Sequence, residues 1–335
     1  MVLNIPSALT QVLLIEDVSQ IGHARRTAQK LAEHLGFDET DAGRVALVAT
    51  ELSSNILKHA AHGQLHLRAT GNGGVEMIAV DRGQGFDLDS CLVDGFSTGG
   101  TQGIGMGAIS RVAQVFDVYA DPRGTAMLAR LYPRASTAKD IRYGVSQHSL
   151  HDDPACGDAW HLAIEPGRFS VMVADGLGHG SEAERAARDG EQVFARGAFD
   201  EATLLMADMH AGMSGTRGGA VAVAQYNAAT GSLRFTGVGN IGASLIGPGK
   251  SRGLASHPGI VGVQFRKAQP FDYAEVSGQL LILFSDGLQS RWNLADYPGL
   301  THRHPALIAA ILHRDFCRGR DDVTVFVIAL EAIDG

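Results

Sequence analysis

The stretch DGFSTGGTQGIGMGAISRV, residues 94–112, decides how the first half of the chain is interpreted. Three glycines alternate in it, Gly103, Gly105 and Gly107, and apolar residues at helical spacing follow from Met106. Glycine has no Cβ, so backbone N–H groups there can approach a charged ligand, and the start of the next helix adds further donors. The pattern suits a phosphate-binding loop ahead of a helix. A flexible loop before a core helix fits it about equally well.

Composition narrows the class of protein. The 335 residues predict about two domains, and 45% hydrophobic with 19% charged residues provide for packed cores. The net charge is −8 and no basic tract occurs, which argues against nucleic acid and anionic membranes as main partners. No apolar run approaches the roughly 20 residues that span a bilayer, and no basic flank marks a signal peptide. With three scattered cysteines, these features predict a cytoplasmic protein.

Besides the helix after the glycine-rich stretch, two helices and five strands are expected before residue 132. A strand is expected at 10–15, a helix from an N-cap at Ser19 and a second helix over about 39–59; strands follow at 64–70 and 75–81, with a hairpin at 116–120 and 125–131. One edge of the second helix carries Glu51, Asn55, Lys58 and His59, a pattern that an ordinary solvated face also produces.

The strand expected at 75–81 ends in Asp81-Arg-Gly83-Gln-Gly85. A carboxylate at a strand end can accept a hydrogen bond from the amino group of a planar ligand, and the glycines allow that ligand to lie against the backbone. A strand that simply ends in a tight turn is the alternative.

In combination, these motifs resemble the ATP-binding fold shared by gyrase, the Hsp90 chaperone, histidine kinases and MutL. The order matches: Glu51…Asn55, DxGxG at 81–85, GxGxG at 103–107, then Gly124-Thr125. Within that group the DGFSTGG run resembles the RsbT-like serine kinases of stressosome and anti-sigma switches. The resemblance covers about residues 8–132. It implies a two-layer α/β sandwich of the Bergerat type, an ATP-binding serine kinase domain, over residues 1–132.

The resemblance also implies roles for individual residues. Asn55 would bind the Mg²⁺ that bridges the ATP phosphates, and Asp81 would accept the adenine amino group. Glu51 would polarise the attacking hydroxyl of a substrate serine. The remaining positions are Gly83 and Gly85 along the base, Gly103, Gly105 and Gly107 in the lid over the phosphates, and Thr125 near the adenine. Lys58 and His59 receive no role.

Carboxylates stand at strand ends throughout the second half. The short polar segment 133–139 predicts a linker, and residues 140–335 predict many short strands with long helices at about 181–198 and 201–214, packed as sheets flanked by helices. Acidic groups that converge at one end of a sheet repel one another unless cations lie between them, and oxygen ligands suit Mg²⁺ or Mn²⁺. A lone Asp-Gly is usually only a turn. The positions are Asp158, Asp175-Gly176, Asp286-Gly287 and Asp321-Asp322.

This half resembles the metal-dependent serine/threonine phosphatases, in the bacterial branch of SpoIIE and RsbX. The matching stretches are CGDAW (156–160), VADGLGHG (173–180), RGGAVAVA (217–224), GVGNIGASL (237–245), FSDGL (284–288) and GRDDVTVFV (319–327). The resemblance covers about residues 141–331. It implies an α-β-β-α four-layer sandwich, so the whole chain is expected to be α+β.

By that resemblance two Mn²⁺ or Mg²⁺ ions would lie in the second domain. Asp175 would bridge both ions, with the Gly176 carbonyl on one of them. Asp286 and Asp321 would hold the second, and Asp158 would act through water. Asp322 ranks below Asp321 because the family often has Asn there. No arginine clamp for the substrate phosphate is identified, and His179 is either a proton donor or a structural loop residue.

The sequence therefore predicts a bifunctional signalling regulator. One domain would phosphorylate serine or threonine of a partner, and the other would remove phosphate from the same or a related partner. The resemblance implies a STAS-domain anti-sigma antagonist or a stressosome scaffold protein as that partner, with a downstream phosphatase or sigma regulator as another. Two alternatives stay open: a nucleotide-gated binding module without kinase activity, and an ATP-binding domain that only controls the phosphatase.

Overall fold

The computed structural model describes residues 2–85, 102–264 and 268–333, and the chain divides into two compact units. The N unit comprises Thr10–Asp140 and Asp296–Ile311; the C unit comprises Met1–Leu9, Ile141–Ala295 and Leu312–Gly335. This division differs from the predicted ranges 1–132 and 140–335 at two segments. Strand β1 (Leu3–Pro6) lies in the C unit because it pairs with a strand there, and residues 296–311 lie in the N unit.

The N unit is a five-stranded antiparallel sheet covered by helices. Its strands are β2 (Gln11–Ile15), β3 (Gly63–Ala69), β4 (Val75–Asp81), β5 (Val115–Asp121) and β6 (Gly124–Leu131), in the order β2-β3-β4-β6-β5. Its helices are α1 (Val18–His34), α2 (Glu39–Ala60) and α3 (Gln102–Val112). Apolar residues of the helices and of one sheet face form a single core, which makes the predicted two-layer sandwich.

Local chemistry explains where α1 begins and how it packs. Asp17 is the N-cap: its carboxylate accepts a hydrogen bond from the backbone N–H of Ser19, and Gln20 completes a capping box. The prediction of Ser19 as the cap is therefore wrong by two residues. The buried face of α1 carries Ala24, Ala28 and Ala32, whose small side chains permit close packing on α2.

The predicted glycine loop is in part a helix. Because α3 begins at Gln102, Gly103, Gly105 and Gly107 lie within its first turns rather than in a loop ahead of it. Glycine costs about 1 kcal/mol in a helix relative to alanine, so three glycines in this stretch predict a loop where the structure has a helix. Phe116, expected as the first residue of the hairpin, lies in β5. The run 94–100 lies outside the described residues.

Segment 296–311 binds the N unit through polar contacts. The backbone N–H of His304 donates to Asp117 Oδ2 at 2.7 Å, and the Arg303 guanidinium pairs with the same carboxylate. Arg123 stacks on the Tyr297 ring, with 3.6 Å from the guanidinium carbon to the centroid. These bonds join the segment to β5 and to the β5–β6 turn.

The C unit contains two antiparallel sheets. One has the order β1-β8-β9-β10-β11-β14 and the other β13-β12-β15-β16-β7. The strands are β7 (Tyr143–His148), β8 (Asp158–Glu165), β9 (Arg168–Gly176), β10 (Gly219–Asn227), β11 (Ser232–Val238), β12 (Gly242–Gly247), β13 (Lys250–Gly253), β14 (Phe271–Tyr273), β15 (Leu280–Phe284) and β16 (Val323–Ala329). Its helices are α4 (Ser181–Gly197) and α5 (Ala202–Gly212). A further helix, α6 (Pro305–Phe316), begins in residues assigned to the N unit and ends in residues assigned to the C unit.

The packing of the C unit is layered. Trp160 and Val171 of the first sheet meet Leu283 and Phe326 of the second in one buried cluster between the sheets. The outer face of the first sheet packs against α4 and α5 in a separate cluster. On the second sheet, the ring of His313 in α6 stacks on His148 of β7 with centroids 3.9 Å apart. The predicted α+β class is confirmed. Among the described residues, no helix has the length and apolar character that crossing a membrane requires.

Candidate active sites

Helix α2 presents the first candidate site. Its apolar stripe, which includes Val48, Leu52 and Ile56, is buried on the sheet, and this fixes the rotation of the helix. Glu51 is half-buried, and Asn55, one turn later, is only 8% exposed. The side-chain amide nitrogen of Asn55 is buried and has no hydrogen-bond partner in the structure. Because an unsatisfied buried amide is costly, this side chain is suited to a polar ligand.

Asp81 lies at the end of β4, 8% exposed. Its Oδ1 accepts hydrogen bonds from the backbone N–H groups of Gly83 at 2.9 Å and Thr125 at 3.1 Å, which fix the plane of the carboxylate. Gly85 has φ +65°, and a Cβ at that position would stand 2.2 Å from the Asp121 carbonyl oxygen. Only glycine therefore allows the 81–85 turn to lie against the end of β5.

The turn after β4 also lies against the end of α2. A Cβ on Gly83 would stand 3.0 Å from the Cβ of Ala60 and 3.1 Å from the His59 carbonyl oxygen. The structure therefore brings the Asp81–Gly85 turn and buried Thr125 next to the helix that carries Glu51 and Asn55. Helix α3, with the three glycines, packs on α2 as well. A carboxylate acceptor, an unsatisfied amide and close backbone approach fit a nucleotide.

The second candidate site is at one end of the two C-unit sheets. Strands β8 and β9 pair Asp158 with Asp175, and β9 ends at Gly176. Asp286 follows β15, and Asp321 precedes β16, so both lie at that same end of the neighbouring sheet. The cleft between them has a volume of about 410 Å³. Its lining includes Asp175, Asp286, Asp321, Gly178, Gly219 and Asn240.

Burial and mutual repulsion both disfavour the charged form of the carboxylates in this cleft. Burial, together with the charges of Asp158, Asp286 and Asp321, raises the pKa of Asp175 to about 9. Burial also raises the pKa of Asp158 to about 7, although Ser285 Oγ donates a hydrogen bond to it at 2.6 Å. The pKa of Asp321 is raised by burial and by neighbouring carboxylates as well. Cations between these groups would relieve the repulsion.

The donor set fits Mg²⁺ or Mn²⁺ that retain water ligands. Among the described residues, no three His, Cys, Asp or Glu side chains already form a group that could hold one metal ion. Mg²⁺ commonly keeps several waters and binds proteins through one or two carboxylates. Two carboxylates for each ion are therefore enough for binding. Gly176 matters here because a Cβ on it would stand 2.1 Å from the Ala183 carbonyl oxygen, which leaves no space for a side chain.

The adjacent residues Asp321 and Asp322 have different environments. Asp321 lines the cleft, whereas Asp322 is 3% exposed. The Asp322 carboxylate accepts hydrogen bonds from the backbone N–H groups of Leu150 at 2.7 Å and Gly157 at 2.6 Å. Asp322 therefore fixes the segment ahead of β8, which supports the higher rank given to Asp321.

Two polar residues of the site were not identified from the sequence. Asn240 donates from its amide to Asp286 Oδ2 at 2.8 Å and so orients that carboxylate. Ser285 orients Asp158. Both lie in stretches that carry the family resemblance, GVGNIGASL and FSDGL, but a single sequence does not indicate which carboxylate each one contacts.

The N unit matches a known family of domains. Residues 15–131 match the histidine kinase-like ATPase domain model. The serine/threonine-protein kinase RsbT of Bacillus subtilis (strain 168) is 33% identical over 99 residues, which cover 28% of this chain and 74% of RsbT.

Among solved structures, a chain from "The bacterial stressosome: a modular system that has been adapted to control secondary messenger signaling" superposes with a TM-score of 0.52 and 25% identity, over 56% of this chain and 99% of its own. RsbX in complex with magnesium superposes with a TM-score of 0.51 and 20% identity, over 57% of this chain and 96% of RsbX, and this likeness concerns the fold. The C unit thus has the fold of RsbX. Through its N unit, the chain belongs to the family of histidine kinase-like ATPase domains that includes RsbT.

Proposed function

We propose that this protein is a bifunctional regulator of partner switching. Its N unit transfers phosphate from ATP to a serine or threonine of a partner protein, and its C unit hydrolyses phosphoserine or phosphothreonine on the same or a related partner. One observation carries the proposal: a chain whose N unit belongs to the RsbT family also gathers Asp175, Asp286 and Asp321 from distant segments in one cleft.

In the N unit, each side chain has a task that its environment supports. Asp81, held by Gly83 and Thr125, accepts a hydrogen bond from the adenine amino group. Gly83 and Gly85 line the base, Thr125 lies near it, and Gly103, Gly105 and Gly107 cover the phosphates. Bound ATP–Mg²⁺ supplies the phosphoryl group and the cation that offsets its charge. Asn55 would hold that cation through its side-chain amide oxygen, and Glu51 would accept the proton of the substrate hydroxyl.

In the C unit, the carboxylates would hold two cations. Asp175 would contribute to both cations and the Gly176 carbonyl to one of them, Asp286 and Asp321 would hold the second, and Asp158 would act through water. Bound Mg²⁺ or Mn²⁺ supplies Lewis acidity and lowers the pKa of water. Asn240 keeps the Asp286 carboxylate oriented.

The partner that we propose is a STAS-domain antagonist or a stressosome scaffold protein. Support comes from the RsbT relative and from the likeness to a chain of a stressosome structure. Opposed activities on one chain would set the phosphorylated fraction of that partner.

The test separates the two activities by single substitutions. With ATP, Mg²⁺, Mn²⁺ and a STAS-domain protein, Asp175→Ala should accumulate phosphate on the partner, and Glu51→Ala should remove phosphate from a phosphorylated partner. Glu39→Ala, an exposed acidic residue at the start of α2, is the matched control and should retain both activities. Absence of phosphate gain with Asp175→Ala would refute the kinase, and absence of phosphate loss with Glu51→Ala would refute the phosphatase.

A further inference from the structure

The acidic cleft of the C unit poses a problem for an anionic substrate. Its charged lining residues are the carboxylates of Asp175, Asp286 and Asp321. A phosphoryl group carries negative charge, so metal ions alone would have to offset both the carboxylates and the substrate. A cationic side chain at the wall of the cleft would lower that repulsion and orient the phosphate.

Arg217 is placed to do this. Its Nη1 lies 3.2 Å from the position that a Cβ on Gly178 would take, so the guanidinium covers the backbone of a residue that lines the cleft. Two residues further along the chain, Gly219 lines the cleft too and pairs across the sheet with Gly176. Arg217 therefore stands at the strand end that carries Asp175.

The backbone on both sides of Arg217 is held firmly. Thr216 Oγ1 donates to the Met213 carbonyl oxygen at 2.7 Å and accepts from the Gly218 N–H at 2.9 Å. The Gly218 carbonyl oxygen accepts a hydrogen bond from the Leu177 N–H at 2.9 Å. Gly218 has φ +69°, and a Cβ there would stand 2.4 Å from the Val261 carbonyl oxygen. The base of the arginine side chain thus has a fixed position relative to the loop after Asp175.

The guanidinium itself is available. Arg217 is exposed and, within the described part of the chain, makes no ion pair, whereas Arg168, Arg188 and Arg234 in the same unit each pair with a carboxylate. A guanidinium presents N–H donors in a planar fork that matches two phosphate oxygens.

We propose that Arg217 binds the phosphoryl group of the substrate at the C-unit cleft. The inference rests on the proposed phosphatase function and adds a substrate-binding residue that contacts the phosphate rather than the metal ions. The arginine comes from the turn ahead of β10, a segment separate from all of the carboxylates.

The test compares Arg217→Gln and Arg217→Lys with Lys250→Gln, a matched control that removes one exposed charge from β13 of the same unit. With Mn²⁺ and a phosphoserine peptide, Arg217→Gln should raise KM by roughly 10- to 100-fold, as expected for the loss of a charged hydrogen-bond donor. Arg217→Lys should raise KM less, because the ammonium keeps the charge but not the fork. Lys250→Gln should leave KM unchanged.

A second readout is independent of turnover. Inorganic phosphate is titrated into the Mn²⁺-loaded proteins by calorimetry, and Arg217→Gln should weaken its binding by a similar factor. Unchanged KM and unchanged phosphate affinity in Arg217→Gln would overturn the inference and leave the phosphatase intact. If the wild type does not hydrolyse the peptide, the proposed function fails. The phosphate titration then decides alone, and equal affinity or no binding in the wild type refutes the role of Arg217.

Discussion

A buried charge cluster in the N-unit sheet makes the sharpest stability prediction. Glu76 on β4 stands directly opposite Arg68 on β3 and Arg130 on β6. Arg68 Nη2 lies 2.8 Å from Glu76 Oε1, and Arg130 Nη2 lies 2.6 Å from Oε2. All three side chains are at most 3% exposed. Glu76→Gln keeps the shape but removes the carboxylate that pairs with both guanidinium groups, although Arg130 keeps another ion pair, with Asp140 at 2.7 Å.

The expected loss of stability in Glu76→Gln follows from the lowered pKa of Glu76. Burial alone would raise the pKa of Glu76, but Arg68 and Arg130 lower it from 4.5 to about 2. At about 1.4 kcal/mol per unit this is roughly 3 kcal/mol, at the lower end of the ~3–5 kcal/mol expected when one partner of a buried ion pair is removed. The contribution is present above about pH 4.5 and is lost as the pH falls toward 2.

Hydrogen exchange measured by mass spectrometry can localise the change. In Glu76→Gln, peptides from β4 and β6 should exchange roughly 100-fold faster near pH 7, because 1.4 kcal/mol corresponds to a factor of ten. Peptides from β15 and β16 in the second sheet of the C unit serve as the internal reference. Glu165→Gln is the matched control: its partner Arg168 is exposed, and such surface pairs contribute at most about 1 kcal/mol. If Glu76→Gln changed exchange no more than Glu165→Gln, the reasoning about the buried cluster would be refuted.

Four further predictions concern the two sites. Glu51→Gln should slow phosphotransfer by about 100-fold or more with unchanged ATP affinity, in radiolabel transfer and calorimetry. Asp81→Asn should weaken ATP–Mg²⁺ binding by about tenfold or more in the same calorimetry, since a neutral amide replaces the acceptor carboxylate; equal affinity would contradict that role. Mn²⁺ should raise the Tm of the wild type but not of Asp175→Asn, by calorimetric scanning. Gly176→Ala should lower C-unit stability by about 1–3 kcal/mol, because its Cβ would meet the Ala183 carbonyl oxygen; urea unfolding followed by tryptophan fluorescence reports it, as both tryptophans lie in that unit.

Most helices and strands could be predicted because the spacing of their apolar residues along the chain reflects which side chains are buried. Helix α4 was expected at about 181–198 and spans Ser181–Gly197, and helix α5 was expected at about 201–214 and spans Ala202–Gly212. The gathering of Asp175, Asp286 and Asp321 was also expected, because each one adjoins a strand that reads clearly in the sequence. Strands β1, β13 and β14 were missed, since three or four residues are too few to show a period.

The features that could not be predicted from the sequence depend on contacts between residues that are distant along the chain. Glu76 and Arg130 are 54 positions apart, and no local pattern shows that they face each other across β4 and β6. Arg217 and Asn240 stand in stretches that carry the family resemblance, but their contacts with Gly178 and Asp286 depend on the sheet register. Asp17 rather than Ser19 caps α1 because one carboxylate could reach the right N–H, a choice that propensity alone does not decide.

The division of the chain has a practical consequence for dissection by gene truncation. The polypeptide passes from one unit to the other four times, because residues 1–9 belong to the C unit and residues 296–311 belong to the N unit. A fragment cut at the predicted linker would keep β1 without β8 and would lose the Arg303 and His304 anchors of Asp117. Each activity is therefore best isolated by a point substitution that inactivates the other activity in the intact polypeptide. A truncation that removes most of one unit also removes a segment that belongs to the other.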